Sequence, residues 1–315
     1  MPRKEWLLIG RDILFYVTGK ADVAEADWRG DMWRYPTDWG YQLDRESEYF
    51  LPKDPAGVPM REFPPPLGVR YLPSRIAGYG FAHWNRWSTT RDARHRTEFL
   101  AAADWFLSAQ QQGRFHHDFP LSGLLPGWLS CNAQGEAASV LARATVLTGD
   151  ARYLDAARAA VHWLTVPVAE GGLRSELPDG STFVEEYPGT EYQHVLNGSL
   201  YAAIGIADVL RAQTAPDPAL GDFFQALVGG IGANLPAWDD GGWSTYDYGL
   251  CGGPRNLNTM TYQVIQVVML RHLAAVSGDA RLAATADRWE AAAASLPHRM
   301  TALARKLKYR LASRW

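Results

Sequence analysis

Cysteine is nearly missing from this 315-residue chain, which holds only Cys131 and Cys251. No disulfide framework can be built from two residues, so reduced thiols are the default and a single Cys131–Cys251 bridge is left open. A basic excess is missing too: the formal net charge is -3, whereas nucleic-acid-binding domains carry a marked positive balance. Long apolar runs are absent from the N-terminal MPRKEWLLIGRDILFYVTG, where Arg11 and Asp12 cut the apolar residues into pieces too short for a membrane span or an ordinary signal peptide. A cytoplasmic protein is the simplest expectation. No glycine-rich phosphate loop, GxSxG or reactive-cysteine signature occurs, which leaves nucleotide cofactors and acyl transfer without support. His116-His117-Asp118 offers nitrogen and oxygen donors, but adjacent histidines point in different directions and lack metal-ligand spacing, so no metal is expected.

Hydrophobic residues make up 47% of the chain, enough for a real core in one large domain or two ordinary ones. Residues 1–70 read as an extended arm rich in Trp, Tyr, Pro and charge, with a turn at Asp54-Pro55-Ala56-Gly57. From residue 71 to 296 a repeat emerges. The turn segments TTRDAR, TGDAR, APDPAL and SGDAR place Asp92, Asp150, Asp217 and Asp279 about 60 residues apart. Each is flanked by helical patterns: 74–88 with 91–110, 133–148 with 150–164, 197–214 with 217–234, and 257–276 with 279–296. The aspartates suit the N-cap of each second helix. Four helical hairpins, none able to bury its apolar face alone, predict a mainly α protein built as an α/α toroid or incomplete α/α barrel. Residues 297–315 form a basic amphipathic helix with Leu303, Leu307 and Leu311 in one stripe. That stripe can pack on the body, or the helix can rest on an anionic membrane surface.

Three connections are much longer than the hairpin turns: 111–132, 165–194 and 235–256. Long loops in compact domains are usually functional, and these three leave the array at the same end. They carry His116, His117 and Trp128, a β-hairpin turning at Asp179-Gly180, and WDDGGWSTYDYGLCGGPR. Glu185, Glu186 and Tyr187 precede Pro188, which favours an extended backbone before it. In a strand, neighbours face opposite sides, so Glu186 and Tyr187 share a site only if the strand breaks at Pro188. Tyr246 and Tyr248 alternate and can line one face. Tyr262 and Gln266 stand one helical turn apart on the fourth inner helix. Asn197 reads most simply as a helix N-cap.

Several motifs together resemble the D-glucuronyl C5-epimerases, enzymes that modify heparosan and heparan sulfate. EEYPGTEYQHVLNGSLYAAIGIADVL carries the family's EEYP and VLNG. YLPSRIAGYGFAHW at 71–84, CNAQGEAASVLARA at 131–144, STYDY and NLNTMTY follow the family's other motifs in order. The resemblance runs from about residue 70 to 290 and implies an α/α barrel, agreeing with the hairpin count. It implies that Glu186 and Tyr262 form the acid/base pair, that Tyr187 and Tyr246 assist, and that Asn197 contacts substrate; Arg255, Gln266, Tyr248 and Gln134 are the further candidates for substrate contact. Glu185 is left outside the reaction. The arginine following the family's YD has no counterpart in YDYGLCGG, with Arg255 the nearest replacement, and the family histidine one turn after the last tyrosine is Gln266 here.

The implied reaction removes the proton on carbon 5 of a uronic acid and returns one on the opposite face. It needs no cofactor. Burial should raise Glu186 towards neutrality and cationic neighbours should lower Tyr262. The implied partner is a uronic-acid-containing polysaccharide or lipid-linked glycan, with peripheral membrane contact through 298–315 and a homodimer left open. A polysaccharide lyase shares the first proton abstraction, and a glycan-binding protein without chemistry is the non-enzymatic alternative.

Overall fold

The computed structural model describes residues 3–44, 48–121, 123–189, 191–249 and 255–312. Cys251 lies outside them, and Cys131 is buried. The protein is mainly α, with eleven α-helices and four two-stranded antiparallel sheets among the described residues.

The arm opens with α1 (Arg3–Thr18), a helix the sequence reading had not separated from the arm. It continues through β1 (Ala24–Glu25), β2 (Thr37–Asp38), α2 (Gly40–Asp44) and the hairpin β3 (Arg61–Phe63) with β4 (Gly68–Arg70). Asp54 builds the expected turn by accepting from the N–H groups of Ala56 and Val58.

Four hairpins follow: α3 (Pro73–Thr90) with α4 (Ala93–Ala109), α5 (Cys131–Thr148) with α6 (Ala151–Thr165), α7 (Leu196–Ala212) with α8 (Pro218–Asn234), and α9 (Met260–Ser277) with α10 (Ala280–Ala294). The turn aspartates cap as the sequence predicts. Asp92, Asp150 and Asp279 accept from the N–H two residues on, and Asp217 from that of Leu220. Such caps contribute about 1 kcal/mol each. The helix α11 (Leu296–Ala312) ends the described chain.

The first helices of the hairpins pack side by side in chain order, α3 on α5, α5 on α7, α7 on α9. The α5–α7 contact is backbone to backbone. A Cβ on Gly135 would lie 2.5 Å from Ala202 Cα, and one on Gly205 would lie 2.3 Å from the Gly135 carbonyl oxygen, so neither position tolerates a side chain. The arm stands between the first and last helices of the row, because β2 touches both α3 and α9.

All four inner helices run in the same direction. Their C-terminal ends meet the arm. Asn85 and Trp84 of α3 bond the backbone of Tyr35 and Trp33, and Arg143 of α5 and Arg211 of α7 donate to the carbonyls of Trp33 and Met32. From α9, Arg271 pairs with Glu25 and His272 meets the edge of Trp28. Arg143 and Asp208 form a fully buried ion pair at 2.6 Å. The opposite, N-terminal ends of the same helices are left for the long loops.

Helix α11 turns most of its basic residues onto the protein. Arg299 donates to the carbonyls of Tyr16, Ala293 and Ala294, Arg305 pairs with Asp240, Lys306 bonds Asn256 and Arg310 pairs with Asp12. Lys308 is the described basic residue of this helix outside such contacts.

Candidate active site

The second long connection supplies its acids through a hairpin, β5 (Arg174–Glu176) with β6 (Thr182–Val184), in the register Ser175 opposite Phe183. The strand ends at Val184, Glu185 follows directly, and the chain bends at Glu186 and Tyr187. Glu185 turns inward and is fully buried. It accepts from Ser175 Oγ and bonds His194 Nδ1 at 2.7 Å. Glu186 turns the other way, over the start of α7. Gly198 makes that possible: a Cβ there would lie 2.8 Å from Glu186 Oε2.

The loops are tied to one another by backbone bonds. Cys131 N–H donates to Glu185 O, Leu196 N–H to Tyr246 O and Tyr248 N–H to Gln193 O. The third connection carries β7 (Asp239–Asp240) and β8 (Trp243–Ser244), which deliver Tyr246 to Glu186. Tyr246 OH donates to Glu186 Oε1 at 3.3 Å and lies 3.0 Å from Tyr187 OH. Asn197 Nδ2 approaches Glu186 Oε2 at 3.5 Å. Tyr262, on the first turn of α9, places its ring 6.5 Å from that of Tyr246. The expected four, Glu186, Tyr187, Tyr246 and Tyr262, are therefore brought together from three elements.

Two cavities meet at this point. One, about 240 Å³, is lined by Glu186, Tyr187, His117, Trp128 and Arg61 among others, and the second, about 360 Å³, by Glu136, Tyr201, Trp39 and Tyr49 among others. Ser74, Asn132 and Tyr262 belong to both walls. Tyr262 is 40% exposed, and that exposure opens onto the cavities.

Burial, opposed by the hydroxyls of Tyr187 and Tyr246, brings Glu186 up to about 7. A carboxyl poised there can hold or release a proton near neutrality. Tyr262 departs from expectation. Although the residue is 40% exposed, loss of water around its hydroxyl comes first, then the negative charge of Glu186, in pushing it above the ordinary phenol range, with Arg61 the one cation pulling it down. It is a phenol that keeps its proton at neutral pH.

Residues 109–291 match the family described as the D-glucuronyl C5-epimerase C-terminus. The chain belongs to this family. It is 33% identical over 221 residues to a D-glucuronyl C5-epimerase of Caenorhabditis elegans, covering 64% of this chain and 36% of the worm protein. It is also 34% identical over 137 residues to an uncharacterized protein of Methanocaldococcus jannaschii, covering 42% of this chain and 44% of that one. The chain thus spans less than half the length of either relative.

Other family-derived positions stand elsewhere. Gln134 is fully buried with both ends of its amide used, accepting from Phe115 N–H and donating to the carbonyls of Gly113 and Ala160. It braces the first long loop and lines neither cavity. Arg255 donates to Ala237 O and Thr245 Oγ1, holding the third loop, and also lies outside both linings. Tyr248 gives its hydroxyl to Asn234 Oδ1 and packs its ring on Trp238. Each was expected to contact substrate, and each has at least one polar group paired with the scaffold. Gln266 is buried one turn below Tyr262 with neither end of its amide partnered among the described residues. Asn197 is not the N-cap, because α7 starts at Leu196 and Val195 precedes it without a side-chain cap.

The sequence reading missed Glu136 and Arg61. Glu136 was detectable in part, since Asn132 and Glu136 repeat the i, i+4 polar spacing of Tyr262 and Gln266. Arg61 left no periodic signal, because it reaches the site from the arm.

Proposed function

We propose that this chain inverts carbon 5 of a glucuronate-type residue in a polysaccharide or lipid-linked glycan. The observation that carries the proposal is Glu186, a buried carboxyl brought to about 7, lining one cavity together with Tyr262. In the direction considered, Glu186 takes the proton from carbon 5 and the C–H electron pair spreads into the sugar's carboxylate. Tyr262, presented by a different element, then gives its hydroxyl proton to the opposite face, forming the new C–H bond. Tyr246 holds Glu186 in position and, with Tyr187, keeps a chain of hydroxyls beside it. The site resets when Glu186 and Tyr262 exchange protons with solvent. Aromatic walls from Trp128 and His117, stacked at 3.9 Å, suit the apolar face of a sugar ring.

Every group named comes from one copy of the chain. With α11 turned onto the protein, the proposal names a glycan rather than a membrane as partner. Incubating uronans in D2O should place deuterium at carbon 5 without chain cleavage. An ultraviolet-absorbing unsaturated product would show a lyase instead, and binding without exchange would show a glycan-binding protein.

A further inference from the structure

Glu136 takes no part in the proton transfers above, yet it too is a buried carboxyl of the site. It lies on α5 one turn beyond Asn132, is 3% exposed and lines the larger cavity together with Tyr262. Its Oε2 has no hydrogen-bond partner among the described residues. The cations lining the same cavity, Arg11 and Arg310, sit with Asp22 and Asp12. Such a carboxyl meets neither a countercharge nor a donor, so burial, with Glu186 adding to it, holds it well above the usual carboxylate range. A protonated carboxyl has one O–H to give. An unpartnered donor beside a cavity calls for an acceptor from the ligand.

Resting on the epimerase reading, we infer that Glu136 binds the substrate's carboxylate by donating a hydrogen bond from its own carboxyl group. The carboxylate is a substituent of carbon 5 itself. With carbon 5 between Glu186 and Tyr262, it must project into one of the two cavities that share Tyr262. On one side stands Glu186, which is ionised when it acts as base and repels a second anion. On the other stands a neutral acid. The carboxylate therefore points at Glu136, making a charge-assisted O–H···O⁻ bond. As the electron pair from carbon 5 moves into those oxygens their charge rises and the bond strengthens, which is transition-state stabilisation by a fixed donor. Glu136 thus gives the site a carboxylate anchor that Arg255, occupied in the third loop, does not provide.

Several titratable groups face Glu136: Glu186, Tyr262 from α9, Tyr201 from α7, and Tyr35 and Tyr49 from the arm. Asp12, Asp22, Arg11 and Arg310 line the remaining side. The four phenols are all held above their ordinary range, largely by burial.

The test compares the wild type with Glu136→Gln, which keeps an N–H donor and cannot ionise, and Glu136→Leu, which keeps neither. Both should fold, since each removes a buried acid without a partner, and thermal unfolding checks this. At pH 6.5, Glu136→Gln should stay within about 5-fold of wild type in kcat/KM for carbon-5 exchange, and Glu136→Leu should fall about 100-fold. As pH is raised to the point where Glu136 ionises, wild type should lose activity, while Glu136→Gln should not show that limb. Calorimetric titration with a uronan oligosaccharide and its carboxyl-reduced counterpart gives a readout without turnover: Glu136→Leu should lose affinity for the first only. Equal losses for both ligands, or the same alkaline limb in wild type and Glu136→Gln, would overturn the assignment of Glu136. No exchange by wild type on any uronan would overturn the epimerase reading, and selective binding of the carboxylated ligand through Glu136 would then still identify the anchor.

Discussion

Arg143 and Glu136 stand two turns apart on the same face of α5, and both are buried, but they sit in opposite surroundings. Around Arg143 the bonds are complete: Asp208 at 2.6 Å, the carbonyls of Trp33 and Ser139, and Arg211 close by on Asp208. Around Glu136 they are not. Glu136 Oε2, Asn132 Oδ1, Asn197 Oδ1 and both amide ends of Gln266 lack partners among the described residues. At the arm end Tyr35 Oη, Thr37 Oγ1, Ser139 Oγ and both ring nitrogens of His272 also lack partners among the described residues, but none of these residues lines either cavity. What separates a structural polar cluster from a candidate site is therefore open hydrogen-bonding capacity beside a cavity, more than polarity alone. A satisfied buried network holds elements together, and an unsatisfied one beside a cavity is free to bind.

Four experiments sharpen or break this contrast. At the site end, Glu186→Gln should lower carbon-5 exchange on the order of 1,000-fold, the usual scale of a lost general base, with far-ultraviolet circular dichroism unchanged. A variant with residual exchange within 10-fold of wild type would remove Glu186 from the role of base. At the arm end, Asp208→Asn should destabilise the fold by about 3–5 kcal/mol, because it strands a buried guanidinium. Urea unfolding would measure it, and a loss below about 1 kcal/mol would break the contrast.

The third prediction concerns pH. Glu186 has its carboxyl raised from 4.5 to about 7, so the folded state binds the proton more tightly than the unfolded chain. Stability from this group is fully present below pH 4.5 and is lost as pH rises towards 7. Glu186→Gln should therefore be more stable than wild type at pH 8, by up to about 3 kcal/mol, with the difference shrinking towards pH 4.5. A constant difference across that range would show that Glu186 is not held neutral by burial. The smallest effect belongs to Tyr248→Phe, which removes the bond to Asn234 and should cost about 1 kcal/mol of stability with exchange within about 3-fold of wild type. A large loss of exchange would return Tyr248 to the site.

Particular residues show how far the sequence could be read. Asp92, Asp150, Asp217 and Asp279 announced four hairpins because a cap is a local bargain between a side chain and an N–H two or three residues away. Glu186 and Tyr187 could be placed beside a broken strand because Pro188 constrains its neighbour directly. The α1 helix and the path of residues 22–38 under the inner helices were not visible, since an irregular aromatic segment has no period to betray which surface it covers.

Hairpin number, loop length and the candidacy of Glu186 and Tyr262 were thus legible in the sequence itself, resting on spacings of a few residues or on motifs shared with a family. Only the tertiary structure decided which polar groups are spoken for. Gln134 and Arg255, read as ligand-binding residues, hold loop backbone through their side chains, while Glu136 read as part of a small-residue helix and stands as an unpartnered acid beside a cavity. The reason is physical: a side chain's availability depends on the atoms that surround it, and those atoms come from chain segments far away in sequence.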